Sequence, residues 1–182
     1  MDWRDQLKGD PLPWLREPEP AGVRYLALRD LLDRPPGDPD LQAARQTAYR
    51  EGPIATLLAA MDPAGFWETP GPGYTPQYRS TVWSVLLLAQ LGASAVHDER
   101  IARACAYVMD HTLSATGGFS MSGTPGAALD CLHGNLCWAL LKLGYDDPRL
   151  EHAFEWMART TTGEGVAPME DKDAPLRYYA GK

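Results

Sequence analysis

The chain contains 182 residues, of which 45% are hydrophobic and 23% are charged, a balance typical of one globular domain with a substantial buried core. Its net charge of −7 disfavours a nucleic-acid partner, because binding to phosphates requires clustered Lys and Arg. Three cysteines imply no disulfide framework, and no apolar stretch reaches the length of a signal peptide or a membrane span, so we expect a cytoplasmic protein.

The first part of the chain predicts an extended lead-in and one pair of helices. Residues 1–20 are rich in proline and charge, which favours an extended segment. Apolar residues then recur at helical spacing over 21–33, and the prolines that follow end this helix. Asp38 is a suitable N-cap before Pro39 at the first helical position, which predicts a second helix with Leu41 on its apolar side.

The middle of the chain predicts a second pair. A loop containing Gly65-Phe66-Trp67 precedes a predicted helix over 78–91, whose apolar residues surround most of its circumference. Gly92 ends this helix as a C-cap, and an amphipathic helix follows over 98–112. The first helix is therefore expected to be buried and the second to cover it.

The same pattern recurs about 50 residues later. Gly117-Gly118-Phe119 precedes a second largely apolar helix over 128–143, and Asp146-Asp147-Pro148 precedes an amphipathic helix. Leu91-Gly92 corresponds to Leu143-Gly144, and Tyr107 corresponds to Trp156. This spacing is typical of helical-pair repeats. We therefore predict an all-α protein in which about three repeated helical hairpins over 21–165 form an arc of an α/α toroid, followed by an irregular tail over 166–182.

These features resemble the prenyltransferase/squalene-cyclase-like repeat superfamily. The resemblance rests on the Gly-Phe turn before each apolar helix and on the segment from Cys131-Leu132-His133-Gly134-Asn135 to Arg149. It implies a terpenoid-cyclase-like or prenyltransferase-like protein that binds an isoprenoid in an apolar cavity. The Asp-x-Asp-Asp motif of the cyclases is missing, because the adjacent aspartates Asp146-Asp147 lie where helix capping explains them. Three hairpins are fewer than a closed ring needs, so a truncated chain, a homo-oligomer or a ring-completing partner is expected.

The strongest candidate site lies at the start of the helix predicted over 128–143. His133 and Cys137 are four residues apart and share one helical face, where they could hold zinc together with Cys131. A fourth ligand would come from Asp130 or from elsewhere, such as His111 or His152. The candidate catalytic residues, as general acid or metal ligands, are Asp130, Cys131 and His133. The alternative is that both cysteines are small buried hydrophobic residues and that His133 hydrogen-bonds a backbone carbonyl.

Two further interpretations remain open. A thiol of Cys131 or Cys137 could act as a nucleophile activated by His133, although no third orienting residue can be named. Aromatic residues at the starts of the apolar helices could line a ligand cavity or pack in the core; they are Trp67, Tyr78, Trp83, Phe119 and Trp138.

Three functions follow from the sequence. The first is binding of an isoprenoid or other apolar small molecule, with or without catalysis. The second is a non-catalytic helical-repeat scaffold for a protein partner, and the third is a zinc-binding module. No cofactor other than zinc is suggested.

Overall fold

The protein is all-α. The computed structural model describes residues 3–164, 167 and 171, and these residues form eight α-helices and no β-strand. This confirms the fold class predicted from hydrophobic spacing, whereas the tail predicted over 166–182 lies outside the described residues apart from 167 and 171. The chain divides into two compact units, one ending at Ala59 and one beginning at Ala60. None of the described helices is both long and apolar enough to cross a membrane.

The lead-in predicted as extended contains helical turns. A 3-10 turn spans Trp3–Gln6, and helix α1 spans Leu12–Leu15. The carboxylate of Asp10 accepts a hydrogen bond from the backbone N–H of Leu12 at 3.0 Å, which satisfies a donor at the start of α1. Proline at the first helical positions, where no N–H is needed, is compatible with this turn.

The rest of the first unit is a helical pair followed by a short helix. Helix α2 spans Ala21–Leu26 and continues into a π-helical turn over Ala27–Leu31, and α3 spans Pro39–Arg50. Helix α4 spans Pro53–Ala59, and α3 packs against both α2 and α4. The predicted N-cap of α3 is confirmed, because the carboxylate of Asp38 accepts the backbone N–H of Leu41 at 3.1 Å.

The second unit contains two further pairs, which carry the candidate site. Helix α5 spans Thr81–Gln90, α6 spans Glu99–Thr112, α7 spans Asp130–Lys142 and α8 spans Arg149–Thr162. Helix α5 packs against α6 and α7, and α7 packs against α8. As the apolar character of α5 and α7 predicts, these helices supply much of the buried core; the fully buried residues include Val82, Val85, Leu88, Leu136, Ala139 and Leu140.

Helices α6 and α8 begin with the same arrangement of aspartate and arginine. The carboxylate of Asp98 accepts the backbone N–H of Arg100 at 2.9 Å and pairs with its guanidinium at 2.7 Å. Asp147 makes the same two contacts with Arg149, at 2.9 and 2.7 Å. The guanidinium of Arg149 lowers the pKa of Asp147 to about 2, so this carboxylate stays ionised and accepts hydrogen bonds from the first residue of α8 instead of acting as a proton donor.

The turns that precede α5 and α7 are also closed in the same way. The N–H of Gly65 donates to the carbonyl of Asp62 at 2.8 Å, and the N–H of Gly117 donates to the carbonyl of Ser114 at 3.0 Å. Both glycines have positive φ, +99° and +93°, a conformation that side-chain-bearing residues rarely adopt. Each turn therefore depends on its glycine.

Each turn is then fixed to the following helix by one buried hydrogen bond. The N–H of Trp67 donates to the Thr81 hydroxyl oxygen at 3.1 Å, and the N–H of Phe119 donates to Nδ1 of His133 at 3.0 Å. Trp67 and Phe119 are 52 residues apart, as are Thr81 and His133. Thr81 and His133 thus occupy corresponding positions, while the number of hairpins in the chain and their arrangement in a toroid stay predictions.

Candidate functional site

His133 lies at the centre of the predicted site, and both of its ring nitrogens are already occupied. Nδ1 accepts the N–H of Phe119, so Nδ1 carries no proton. Nε2 lies 2.9 Å from the carbonyl oxygen of Ala153 in α8, which requires Nε2 to be the protonated nitrogen and to donate. His133 is therefore a neutral imidazole that connects the turn before α7 to α8, with no nitrogen lone pair left for a metal ion.

The surroundings of His133 favour this neutral form. Its side chain is buried, and its ring lies 4.6 Å from the Trp156 ring and 5.5 Å from the Phe119 ring, between centroids. Burial lowers the pKa of His133, although the hydrogen bond to Ala153 and the carboxylate of Asp130 act in the opposite direction. This geometry matches the alternative prediction, in which His133 hydrogen-bonds a backbone carbonyl.

Cys137 is close to His133 but is not an activated nucleophile. Its sulfur lies 3.5 Å from Nε2 of His133. The thiol is buried, and desolvation raises its pKa to about 11, which disfavours the thiolate that would attack a substrate or bind a metal. Because Nε2 holds a proton shared with Ala153, it is not positioned to accept one from the thiol.

Asp130 and Cys131 do not complete a metal site. Helix α7 begins at Asp130, so Cys131 is held in its first turn instead of in a loop, and both residues are exposed. His133 and Cys137 are buried on another side of the helix. Within the part of the chain that the structure describes, no group of three or more His, Cys, Asp or Glu side chains is placed to hold a metal ion. The geometry does not support the predicted zinc set of Cys131, His133 and Cys137.

The cysteines provide a direct test of this geometry. We expect iodoacetamide to modify Cys131 in the native protein while Cys105 and Cys137 are protected, because desolvation raises the pKa of Cys105 to about 12 and that of Cys137 to about 11. Peptide mapping by mass spectrometry after native and denatured labelling measures each site. Native labelling of Cys137 as fast as Cys131 would contradict the closed packing of α7 on α8.

His133 also makes stability depend on pH. Because its pKa is lowered in the folded protein, the unfolded chain binds a proton first, near its ordinary value of about 6.5. The contribution of His133 to the free energy of unfolding is complete above about pH 6.5 and is lost as the pH falls through the pKa that His133 has in the folded protein. In that range the free energy of unfolding falls by at most about 1.4 kcal/mol per pH unit. Urea unfolding from about pH 8 to about pH 5 should show this decrease in the free energy of unfolding, and His133→Phe should remove it. An unchanged pH dependence in that variant would contradict the assignment.

A pocket of about 390 Å³ lies beside the predicted site, between α7 and α8. This α7/α8 pocket is lined by Asp130, His133, Trp156, Met157, Thr160 and Thr161. Two of these residues were predicted as site residues, whereas the four from α8 were not. Residues 156, 157, 160 and 161 are spaced so that they share one face of the helix. In the sequence, the amphipathic pattern of this helix indicated only that such a face packs against another helix.

The five aromatic residues predicted to line a cavity do not line this pocket. Trp67 and Phe119 are buried, where their rings belong to the core. Trp83 is half-buried, and its indole Nε1 donates to the carbonyl of Tyr74 at 2.9 Å. Tyr78 and Trp138 are 78% and 41% exposed, so they are available at the surface. The predicted set therefore divides into two core residues and three residues at or near the surface.

Comparison with protein-family models, curated proteins and solved structures finds no match to this chain.

Proposed function

We propose that this chain is an α/α-repeat protein that binds an isoprenoid-like or other apolar ligand on the exposed surface of α5 and α7 and does not catalyse a reaction with the residues predicted for it. The observation that carries this proposal is a cluster of aromatic rings at the start of α5. The ring of Trp83 lies 4.8 Å from that of Tyr78 and 5.5 Å from that of Tyr74, between centroids. A large aromatic residue as exposed as Tyr78 suggests a binding surface.

Apolar residues extend from this cluster along both helices. Trp83 and Leu87 are four residues apart on α5, and Trp138 and Leu141 are three apart on α7, so each pair shares a helical face. Leu87 is 40% exposed and Leu141 is 58% exposed. Because α5 packs against α7, the two stripes lie on neighbouring helices. We call these residues, with Tyr74 and Tyr78, the aromatic face.

The chemistry of the aromatic face suits an extended hydrocarbon. Flat π-surfaces bury much apolar area and can also attract a cationic group. An isoprenoid chain is apolar and thin enough to lie along a stripe of exposed apolar side chains on one of these helices. This agrees with the resemblance to the prenyltransferase/squalene-cyclase-like superfamily, while the engaged nitrogens of His133 leave that side chain without a free lone pair for catalysis.

The proposal is tested by farnesol binding, followed by tryptophan fluorescence. We expect the double variant Tyr78→Asn with Trp138→Gln to weaken binding by about tenfold or more, because two exposed aromatic contacts are lost. Asparagine tolerates the positive φ of +65° at position 78, and glutamine is compatible with helix α7. Trp14→Gln is the matched control, since Trp14 is 62% exposed but lies in the first unit. Farnesol affinity that is undetectable, or equal in all three proteins, would refute the proposal.

A second candidate is a scaffold whose aromatic face binds a protein partner or a second copy of the chain. The exposure of Leu141 and of Val96, which is 78% exposed, favours it, because exposed apolar side chains can mark a protein interaction surface. Native mass spectrometry of the same variants distinguishes the two. A dimer that the double variant loses, without farnesol binding, would establish the second candidate in place of the first.

A further inference from the structure

The α7/α8 pocket has features of a ligand site that is separate from the aromatic face. Its volume of about 390 Å³ lies at the lower end of the range of roughly 300–1,000 Å³ typical of small-molecule sites. Its lining residues within the described part of the chain belong to two helices of the second unit that pack directly against each other. The pocket is therefore formed at one helix–helix contact within a single unit.

The threonines at the pocket present hydrogen-bond acceptors. The hydroxyl of Thr160 donates to the backbone carbonyl of Trp156 at 2.9 Å, and the hydroxyl of Thr161 donates to that of Met157 at 2.7 Å. Each hydroxyl has a single hydrogen, which is thereby used, and only oxygen lone pairs remain. A ligand that bonds to these side chains must supply the hydrogens.

The carboxylate in the lining also favours a ligand that donates hydrogen bonds. The carboxylate of Asp130 is exposed, accepts hydrogen bonds only, and forms no ion pair with any residue that the structure describes. His133 has no free nitrogen, as shown above. The indole Nε1 edge of Trp156 faces Gly118, where an added Cβ would lie 3.2 Å from Nε1. The lining thus combines one negative charge and two hydroxyl acceptors with the indole N–H of Trp156, at the edge beside Gly118.

The remaining lining atoms favour an organic cation over a metal ion. Trp156 supplies a π-system and Met157 a polarisable thioether, and both interact favourably with a diffuse positive charge. One carboxylate and two hydroxyls are too few hard ligands for a divalent cation, which requires about six oxygens. The net charge of −7 further favours a cationic ligand in solution.

We propose that the α7/α8 pocket binds a protonated primary amine, with Asp130 as its counter-ion, Thr160 and Thr161 as acceptors, and Trp156 and Met157 against its apolar part. The ammonium group carries three N–H donors, and the three acceptor side chains match them in number. The amine nitrogen is held near the first turn of α7, and the apolar part of the ligand lies along α8.

The probe for this site is benzylamine, which is protonated near neutral pH and carries one aromatic ring. We expect titration of the protein with benzylamine, followed by two-dimensional amide NMR, to shift signals from residues at the start of α7 and in the last turns of α8. Benzyl alcohol, which has nearly the same shape without the charge, should bind at least about tenfold more weakly, because a charge-assisted hydrogen bond is lost.

Variants locate the charge and the acceptors. Asp130→Asn should weaken benzylamine binding about tenfold or more, and Thr161→Val should weaken it severalfold. Asp146→Asn is the matched control, because it removes one exposed negative charge outside the pocket and should leave the affinity unchanged. Equal effects of Asp130→Asn and Asp146→Asn, absent binding, or signal shifts confined to other helices would overturn the proposal. Farnesol binding at the aromatic face is independent of each of these outcomes.

Discussion

Replacement of Gly117 by alanine is expected to lower the free energy of unfolding by more than about 3 kcal/mol. Two effects add at this position. The φ of +93° is unfavourable for any residue with a Cβ, and a Cβ built on Gly117 would lie 2.6 Å from the backbone carbonyl oxygen of His152 in α8. Because that oxygen belongs to helix backbone, it cannot move aside as a side chain would, and the turn must separate from α8.

Gly163→Ala is the matched control for the conformational part of this effect. Gly163 follows α8 with a φ of +76°, and no heavy atom of the residues that the structure describes lies within 4 Å of an added Cβ. Its replacement is expected to cost about 1 kcal/mol, from backbone strain alone. Urea unfolding monitored by circular dichroism measures both variants, and similar costs for the two would show that the turn does not approach α8 closely.

Gly65 allows the same test in the preceding pair. Its φ is +99°, and an added Cβ would lie 2.9 Å from the carbonyl oxygen of Arg103 in α6. Gly65→Ala should therefore lower the free energy of unfolding by more than Gly163→Ala does, as is expected for Gly117→Ala. A cost no larger than that of Gly163→Ala would separate the two turns energetically and weaken the interpretation that they are corresponding parts of a repeat.

Local signals in the sequence predicted the helices well where a cap defines them. Helix α6 was predicted over 98–112 and is found over Glu99–Thr112, because Asp98 caps it and its apolar spacing is regular. The start of α5 was predicted at residue 78 but lies at Thr81. Tyr78 has a φ of +65°, which is not helical, and Ser80 is extended. The predicted helix began too early because the residues before Thr81 include an aromatic one. Hydrophobic spacing does not indicate that these residues form a turn with a non-helical backbone.

The candidate site could be predicted only in part, because its partners come from distant segments. His133 was identified from the chemistry of its side chain, but its bonds to Phe119 and Ala153 join positions 14 and 20 residues away in different elements. The pocket residues of α8 required the knowledge that α7 packs against α8. The repeat pattern offered one clue: the position corresponding to His133 is held by Thr81, whose oxygen accepts the same kind of bond.

This correspondence assigns His133 a structural task that chemically different side chains perform. An acceptor is needed where the turn meets the buried helix, and a hydroxyl supplies it in one pair while an imidazole supplies it in the other. A histidine beside two cysteines and an aspartate resembles a metal or catalytic site by residue type alone. The hydrogen bonds of its two nitrogens, and not the identities of its neighbours, determine what it can do.

His133→Phe is expected to lower the free energy of unfolding by about 3 kcal/mol. Phenylalanine retains an aromatic ring between Phe119 and Trp156 but removes both nitrogens, which leaves the Phe119 N–H buried without an acceptor and the Ala153 carbonyl without this donor. Urea unfolding measures the loss of stability, and hydrogen exchange by NMR should show faster exchange at the Phe119 amide.

Two variants establish that this loss arises from the missing acceptor. His152→Phe places the same side chain at an exposed position of α8 and should change stability by less than about 0.5 kcal/mol. Thr81→Val removes the corresponding acceptor from the preceding pair with almost no change in shape, and should cost about 1–3 kcal/mol with faster exchange at the Trp67 amide. If His133→Phe unfolds at the same urea concentration as the native protein, the imidazole does not hold the turn, and its nitrogens become available for the chemistry that the sequence suggested.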